Sequence, residues 1–521
     1  MATSRRSFLK GAIGVGAAAA GLSPGGAGAA SPSRPNLGPI ALPGLRPVPG
    51  RTPIEHVVVV MMENRSFDHF LGWLPGANGI GVSPEGSILD AERYESFVFA
   101  DQKGKPHPIF HQTQLNGCGL GDQDHSYPGG RLEWNYGKMD GFLSNPANSD
   151  YSISYYLAAA RTFTSPLAMH YTVCDNYFCS FLGPTWPNRF FMHAAQTDRL
   201  DNSLEVPGHS ELIAPSLLPT IWDQLNQPGG PTGRYYFYDI PFLALWGAKY
   251  LPISSPVADF VVDAQAGTLA NVSYIDPRSE DEGDGTSGDD HPLADLRSGD
   301  AFLSSLFHAV ATGPLWDKTL FIVNYDEWGG FFDHVPPLIV TPANDYVDQV
   351  DVWRTKSGAL TGVLSGMRVP CTLASPYSKA PDGPDVPRVS SWAHDHTSIL
   401  RFIEDNWGLH ALTPRDASVG RYGSSTKWLT SIEAALDFTS FDPSVPELPE
   451  LLPFVTAGCG VPGYPQGGPS VGGEEVPLGI QTIPALGPAA APLGSAASVA
   501  GAPRDADWRP VLSSDLIKGW R

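Results

Sequence analysis

Two stretches of the chain are almost continuously apolar: His56-Val57-Val58-Val59-Val60-Met61-Met62 and Thr319-Leu320-Phe321-Ile322-Val323-Asn324-Tyr325. β-Branched runs without polar alternation predict strands buried on both faces, as in a parallel sheet. A longer period appears at Ile399, Leu400, Phe402, Ile403 and Trp407, which share one helical face that ends at Gly408. Strands interleaved with helices predict an α/β fold. Patterned sequence begins near Pro53, and the globular domain is expected over 53–445. Residues 31–52, rich in Pro, Gly and Ser, read as a linker, and 446–521 as a Pro/Gly/Ala-rich tail, within which the composition from Gly458 to about Arg504 cannot bury a core.

Both apolar runs end in a polar pair, Glu63-Asn64 after the first and Asp326-Glu327 after the second. In open α/β sheets ligands bind beyond the carboxyl ends of the strands. Four oxygen-bearing side chains at that edge suit a hard divalent cation of the Ca, Mg or Mn type. The same residues also suit two plain solvated strand ends. A third segment, Gly183-Pro184-Thr185-Trp186-Pro187-Asn188-Arg189, precedes the helical run from Phe190 to Ala195. Its pattern predicts Thr185 as an N-cap with Pro187 in the first turn. A helix N-terminus there is a phosphate seat. A metal-activated Thr hydroxyl is a nucleophile for phosphorus, although capping alone also accounts for the residue.

Charge narrows the partners. The 521 residues carry 33 Lys plus Arg against 54 Asp plus Glu, a net charge of -21. Such a chain repels nucleic acid and anionic surfaces, so an anionic substrate needs a local cation or helix N-terminus to draw it in. The cysteines Cys118, Cys174, Cys179, Cys371 and Cys459 have no zinc spacing. Cys174 and Cys179 are close enough in sequence to pair in an oxidising compartment, and buried thiols fit equally well. The first 30 residues, with Ser4-Arg5-Arg6-Ser7-Phe8-Leu9-Lys10, an apolar run to about Leu22 and Ala27-Gly28-Ala29, resemble a twin-arginine export signal. The expected partner is the twin-arginine export machinery, and the mature protein is expected in the periplasm, at the cell surface or secreted. No other stretch is apolar enough to span a bilayer.

The motifs together resemble the phosphoesterase family that contains bacterial phospholipases C, plant non-specific phospholipases C and acid phosphatases. The matching segments are Glu63-Asn64-Arg65-Ser66-Phe67-Asp68-His69, Thr185-x-Pro187-Asn188-Arg189 and Asp326-Glu327-x-Gly329-Gly330-Phe331-Phe332-Asp333-His334-Val335. Arg368-Val369-Pro370 with Ser375-Pro376, and Asp395-His396-Thr397-Ser398-Ile399-Leu400, fit as well. Trp134-Asn135-x-Gly137-Lys138-Met139-Asp140-Gly141-Phe142 looks nearest to the phospholipase C branch. The likeness runs in order over about 53–410, and several long motifs make it specific.

The resemblance implies an alkaline-phosphatase-like α/β core with a mixed, mostly parallel sheet flanked by helices. It implies metal ligation by Glu63, Asn64, Asp326 and Glu327, and Thr185 as nucleophile. His125 and His291 are candidates for proton transfer, and Arg189 and His334 for substrate binding. The expected substrate is a phospholipid or a small phosphoester. A phospholipase C reading is favoured over an acid phosphatase on the same residues, with aromatics such as Trp73, Trp134 and Trp328 as an apolar approach. Sulfatases share the nucleophile-x-Pro-x-Arg pattern but build their nucleophile from Cys or Ser, which Thr185 is not. A silent binding protein would be expected to lack one of the ligands or the nucleophile, and all are present.

Overall fold

The computed structural model describes residues 52–454, apart from 204, 207–208, 214, 240, 280–281, 344–351, 355–359, 382, 384–385 and 421–428, together with 458–459. The export signal and all but the end of the linker lie outside the described residues, as does the tail beyond 459.

Eight strands form the main sheet: β1 (His56–Met62), β2 (Thr172–Cys174), β3 (Gly233–Phe237), β4 (Ser254–Pro256), β5 (Val272–Asp276), β6 (Thr319–Tyr325), β7 (Cys371–Ala374) and β8 (Arg388–Ser390). Their order across the sheet is β4-β3-β5-β1-β6-β7-β2-β8. Seven strands run one way, and β7 runs against both of its neighbours. The sheet is therefore mixed and mostly parallel, as expected. Every residue of β1 and β6 is buried, which is the physical reason those runs lack polar alternation.

Four helices matter for the site: α1 (Tyr127–Trp134), α2 (Thr185–Ala194), α3 (Leu296–Ala311) and α4 (His396–Trp407). α2 packs against α4, and α3 against β6. α4 starts in a capping box between Asp395 and Ser398 and ends at Gly408 with φ 69°. Both ends are thus written in the sequence. Among the described residues no helix is long and apolar enough to cross a membrane.

The packed body continues past the expected boundary at 445. Leu448 is buried, the Pro449 carbonyl accepts from Ser304 Oγ at 3.0 Å, and Arg297 lies 4.5 Å over the Phe454 ring. Cys459 is disulfide-bonded to Cys118 across a separation of 341 residues. Cys174 and Cys179 do not pair with each other, because they belong to different local structures. Cys174 ends β2 and is hydrogen-bonded to Cys371 on the adjacent β7. Cys179 Sγ instead donates to the Phe181 carbonyl at 3.6 Å. Cys174, Cys179 and Cys371 are all free and buried.

Candidate active site

Register brings the polar pairs together. Met62 stands opposite Tyr325 in the parallel ladder between β1 and β6, so Glu63-Asn64 and Asp326-Glu327 leave the same sheet edge side by side. Asn64 turns the chain with φ 61°, a left-handed conformation that Asn tolerates better than most residues. That turn lets the Asn64 amide donate to Asp326 Oδ1 at 3.0 Å and the Arg65 amide to the Glu327 carbonyl at 3.0 Å. The adjoining Gly329, at φ 65°, passes so close to Asn64 that a Cβ would sit 2.0 Å from its carbonyl oxygen. Gly330 is pressed likewise against Gln123, with 2.6 Å left for a Cβ. The glycine pair thus brings the ends of two strands and the loop before His125 into direct backbone contact.

Thr185 is the first residue of α2 rather than its cap. Pro184 occupies the cap position, and no side-chain hydrogen bond caps the helix. Pro187 falls in the first turn as expected. The capping account of Thr185 is therefore removed, and its hydroxyl is not spent on the helix. Asn188 holds the loop that delivers it: its side-chain amide donates to the carbonyls of Phe181, Gly183 and Pro184, and its Oδ1 accepts from the Phe181 amide at 2.9 Å.

Arg189 follows Thr185 by four residues and shares its helix face. Its guanidinium lies 3.1 Å from Glu63 Oε1, 3.3 Å from Asp326 Oδ2 and 2.9 Å from Asp276 Oδ1 at the end of β5. It is 4% exposed. These contacts make Arg189 a holder of the carboxylates, which is a different task from the expected substrate contact.

The carboxylates are crowded. Burial pushes Glu327 well above the usual carboxyl range, and Asp326 beside it adds to the push. Burial also raises Asp326 to about 6, against the pull of Arg189. Asp289, whose carbonyl accepts from the Glu63 amide at 2.8 Å, is raised well above its usual range by burial and then by Glu63 and Glu282. Asn64 Oδ1 and Glu327 Oε1 are buried without a hydrogen-bond partner among the described residues. Oxygens left open beside mutually repelling acids fit a divalent cation, which relieves both conditions at once. Ligand atoms of Glu63, Glu282 and His291 also lie within 4.8 Å of one another, a second grouping able to hold an ion.

His125 and His291 face this cluster. His125 Nε2 lies 3.4 Å from Asn64 Nδ2 and 3.9 Å from Glu327 Oε1, while Nδ1 is 2.7 Å from the Gln123 carbonyl. Burial pulls the pKa of His125 down, but Asp122, the Gln123 carbonyl, Asp326 and Asp124 outweigh it, and the net shift is upward. His291 Nε2 is 3.7 Å from both Asp122 Oδ2 and Glu282 Oε2. The two imidazole rings lie 6.4 Å apart.

His334 is placed elsewhere. Its Nδ1 is 2.6 Å from Asp68 Oδ2, its Nε2 is 2.7 Å from Arg93 Nη2, and Arg368 bridges Asp68 and Asp333 beside it. Both ring nitrogens are thus engaged in an ion network, a different setting from the expected substrate contact. The expected aromatic approach also changes. Trp73 and Trp328 are buried in the core, and only Trp134 of the three is partly exposed. Trp328 donates from Nε1 to Glu133 Oε2 at 2.7 Å, which ties the loop after Glu327 to α1.

Sequence reasoning did not single out Glu133, Asp276, Glu282 or Asp289. Glu282 sits in the acidic run from Glu280 to Asp284, which reads as a solvated surface, and Glu133 sits on a helix where an acid is ordinary. Only the fold turns them inward. Asp289 had a signal, its position two residues before His291.

A family model described as the phosphoesterase family matches residues 54–410. Phospholipase C A of Mycobacterium tuberculosis is 29% identical over 474 residues, covering 80% of this chain and 86% of that protein. Non-specific phospholipase C1 of Arabidopsis thaliana is 30% identical over 397 residues, covering 71% of this chain and 70% of that protein. Non-hemolytic phospholipase C of Pseudomonas aeruginosa is 30% identical over 446 residues, covering 78% of this chain but 60% of that protein.

Proposed function

The chain belongs to the phosphoesterase family, and from that premise we propose that it cleaves the phosphodiester bond of phospholipids as a metal-dependent phospholipase C, through a phospho-threonine on Thr185. It is a hydrolase acting on phosphoric ester bonds, in keeping with relatives that are phospholipases C across most of its length. The observation that carries the finer reading is the uncapped Thr185, on the helix face whose next turn reaches Glu63 and Asp326 through Arg189.

Glu63, Asn64, Asp326 and Glu327 would hold the cation, with Glu282 and His291 close to Glu63. A divalent cation held there would supply positive charge that favours ionisation of the Thr185 hydroxyl and offsets the charge of the phosphoryl group. The Thr185 amide at the N-terminus of α2 faces the phosphoryl group in this scheme, since the Trp186 amide donates to Asn202 Oδ1 and Pro187 has no N–H. Thr185 Oγ1 attacks phosphorus in line, the phosphorus–oxygen bond to the glycerol side breaks, and diacylglycerol leaves with a proton from His125 or His291. Water then attacks the phospho-threonine, gives its proton back to the same histidine and frees the phosphorylated head group. Arg189 does not touch substrate in this scheme; it fixes the spacing of the carboxylates.

The proposal extends to location. The twin-arginine-like start directs the enzyme out of the cytoplasm, and the Cys118–Cys459 disulfide supports an oxidising destination.

The test compares hydrolysis of phosphatidylcholine and of an aryl phosphomonoester by the purified enzyme, with Thr185→Ala as blank. Release of diacylglycerol with little monoester turnover is the expected result, and Thr185→Ala reduces it to background with an unchanged melting temperature. An active Thr185→Ala enzyme overturns the nucleophile assignment. Fast monoester turnover with the lipid untouched moves the chain to the phosphatase reading of the same site.

A further inference from the structure

The disulfide joins the loop that leads to His125 to the C-terminal segment at Cys459, which packs on the turn that precedes His291. Cys118 opens the loop that leads to Asp122 and His125. It is buried, and its own amide donates to Asn116 Oδ1 at 3.2 Å. The other half, Cys459, donates its amide to the Asp284 carbonyl at 2.7 Å, in the turn that begins at Glu282. Gly285 lies under the bond: a Cβ there would be 2.5 Å from Cys459 Sγ, 2.9 Å from the Leu293 carbonyl and 3.5 Å from Cys118 Sγ. Gly117 is pressed equally hard on the far side of His291, where a Cβ would be 1.7 Å from the Pro292 carbonyl. Its amide donates to the Ala294 carbonyl at 3.1 Å.

One covalent link therefore sits where the loop of His125 and both flanks of His291 converge. What those loops present is a single arrangement, His291 Nε2 at 3.7 Å from Asp122 on one loop and 3.7 Å from Glu282 on the other. Asp122 has a side chain 42% exposed, so the core alone does not fix its position. Backbone hydrogen bonds from Gly117 to Ala294 and from Leu296 to Leu115 already seat the Cys118 segment, and the disulfide adds the tether of Cys459, whose amide reaches Asp284.

We propose that the Cys118–Cys459 disulfide is the positioning element of the active site, setting Asp122 and Glu282 about His291, so that the folded enzyme is weakly active while these thiols are reduced and fully active once they are oxidised. This rests on the reading of His291 as part of the phosphoesterase site. On oxidation the two thiols lose two electrons and two protons as the Sγ–Sγ bond forms. A disulfide-carrying oxidoreductase or small-molecule disulfide accepts them and becomes a dithiol. A lipid-cleaving enzyme exported as proposed above would thereby be held back until it leaves a reducing compartment.

The experiment uses the full-length oxidised protein, the same protein reduced with dithiothreitol, and the Cys118→Ser/Cys459→Ser variant. Each is assayed on a soluble aryl phosphodiester well below its melting temperature, with folding followed by circular dichroism. The expected result is a fall in kcat of tenfold or more on reduction, KM within twofold and an unchanged spectrum. Reoxidation restores kcat, and the double Ser variant matches the reduced enzyme and ignores dithiothreitol. Reduction that leaves kcat unchanged marks the bond as a plain staple and overturns the proposal. So does reduction that unfolds the protein, since the bond then holds the fold and not the site. If the oxidised enzyme turns over no phosphoester at all, the reading beneath the proposal fails, and the proposal falls with it for that separate reason.

Discussion

The same two sequence motifs build two buried charge clusters with opposite characters. From Glu63–His69 and Asp326–Val335, the first residues go to the candidate metal site and the later ones, Asp68, Asp333 and His334, to a second cluster. Ligand atoms of Asp68, Asp333 and His334 lie close enough to hold an ion, as do those of Glu63 with Glu282 and His291 from outside these motifs. In the second, Arg368 reaches Asp68 at 3.0 Å and Asp333 at 2.9 Å, and His334 closes the network. Burial pushes Asp68 up, but His334 and Arg368 outweigh it and hold its carboxyl below the usual range. Burial keeps Asp333 above its range despite Arg368. At the first cluster Glu327, Asp326 and Asp289 are all raised. Clustering alone therefore does not mark a metal site; acids left with open oxygens and unrelieved repulsion do.

The sharpest way to break this contrast is Glu327→Gln. It should lower kcat by about 10³-fold, the scale of losing one electrostatic contributor to a transition state. Its urea midpoint in chelator should hold or rise, because a buried repelling acid is gone. A steep fall in the midpoint would make the two clusters alike. Arg368→Met should act the other way round. Breaking a buried pair costs about 3–5 kcal/mol, read by urea denaturation at pH 7, while the folded fraction keeps its kcat. Divalent cation at about 100 times its Kd should stabilise the wild type by about 2.7 kcal/mol, in a thermal shift assay against chelator, and should do little for Glu327→Gln. The smallest effect is in acid. A folded carboxyl value below the unfolded one gives stability that is present above the usual Asp range and lost as pH falls through the folded value. Asp68 should thus weaken the wild type in acid, and Arg368→Met should flatten that slope in urea titrations at successive pH values.

The fold was legible where one physical rule dominates. A short apolar run enriched in β-branched residues favours a doubly buried strand over a helix, and β1 and β6 follow. Helix α4 was readable from its period and its terminal glycine. The convergence of Glu63, Asn64, Asp326 and Glu327 was readable because both apolar runs end at one edge of a parallel sheet. Arg189 and His334 were harder, because a motif names a residue without naming its partner. Arg189 turns to three carboxylates, and His334 to Asp68 and Arg93. Glu133 and Glu282 carry no local signal, since an acid on a helix or in an acidic run looks solvated until the tertiary fold buries it, as for Glu133, or sets it beside a partner, as for Glu282 near His291. The disulfide was unreadable for the same reason: its halves are brought together by the whole body, not by spacing.

Strand β1 lies at the middle of the sheet, and its partners come late in the chain. Val57 pairs with Val272 on one side and Leu320 on the other. At a synthesis rate of roughly 5–20 residues per second, the run His56–Met62 waits on the order of 10–50 s before β6 exists. During that interval it is an unpaired, uncharged β-segment of the kind most prone to self-association. The stretch that anchors the finished enzyme is thus its greatest hazard while being made, and a nascent chain of this sequence should depend on a chaperone that shields residues 56–62 until the ribosome has passed position 325.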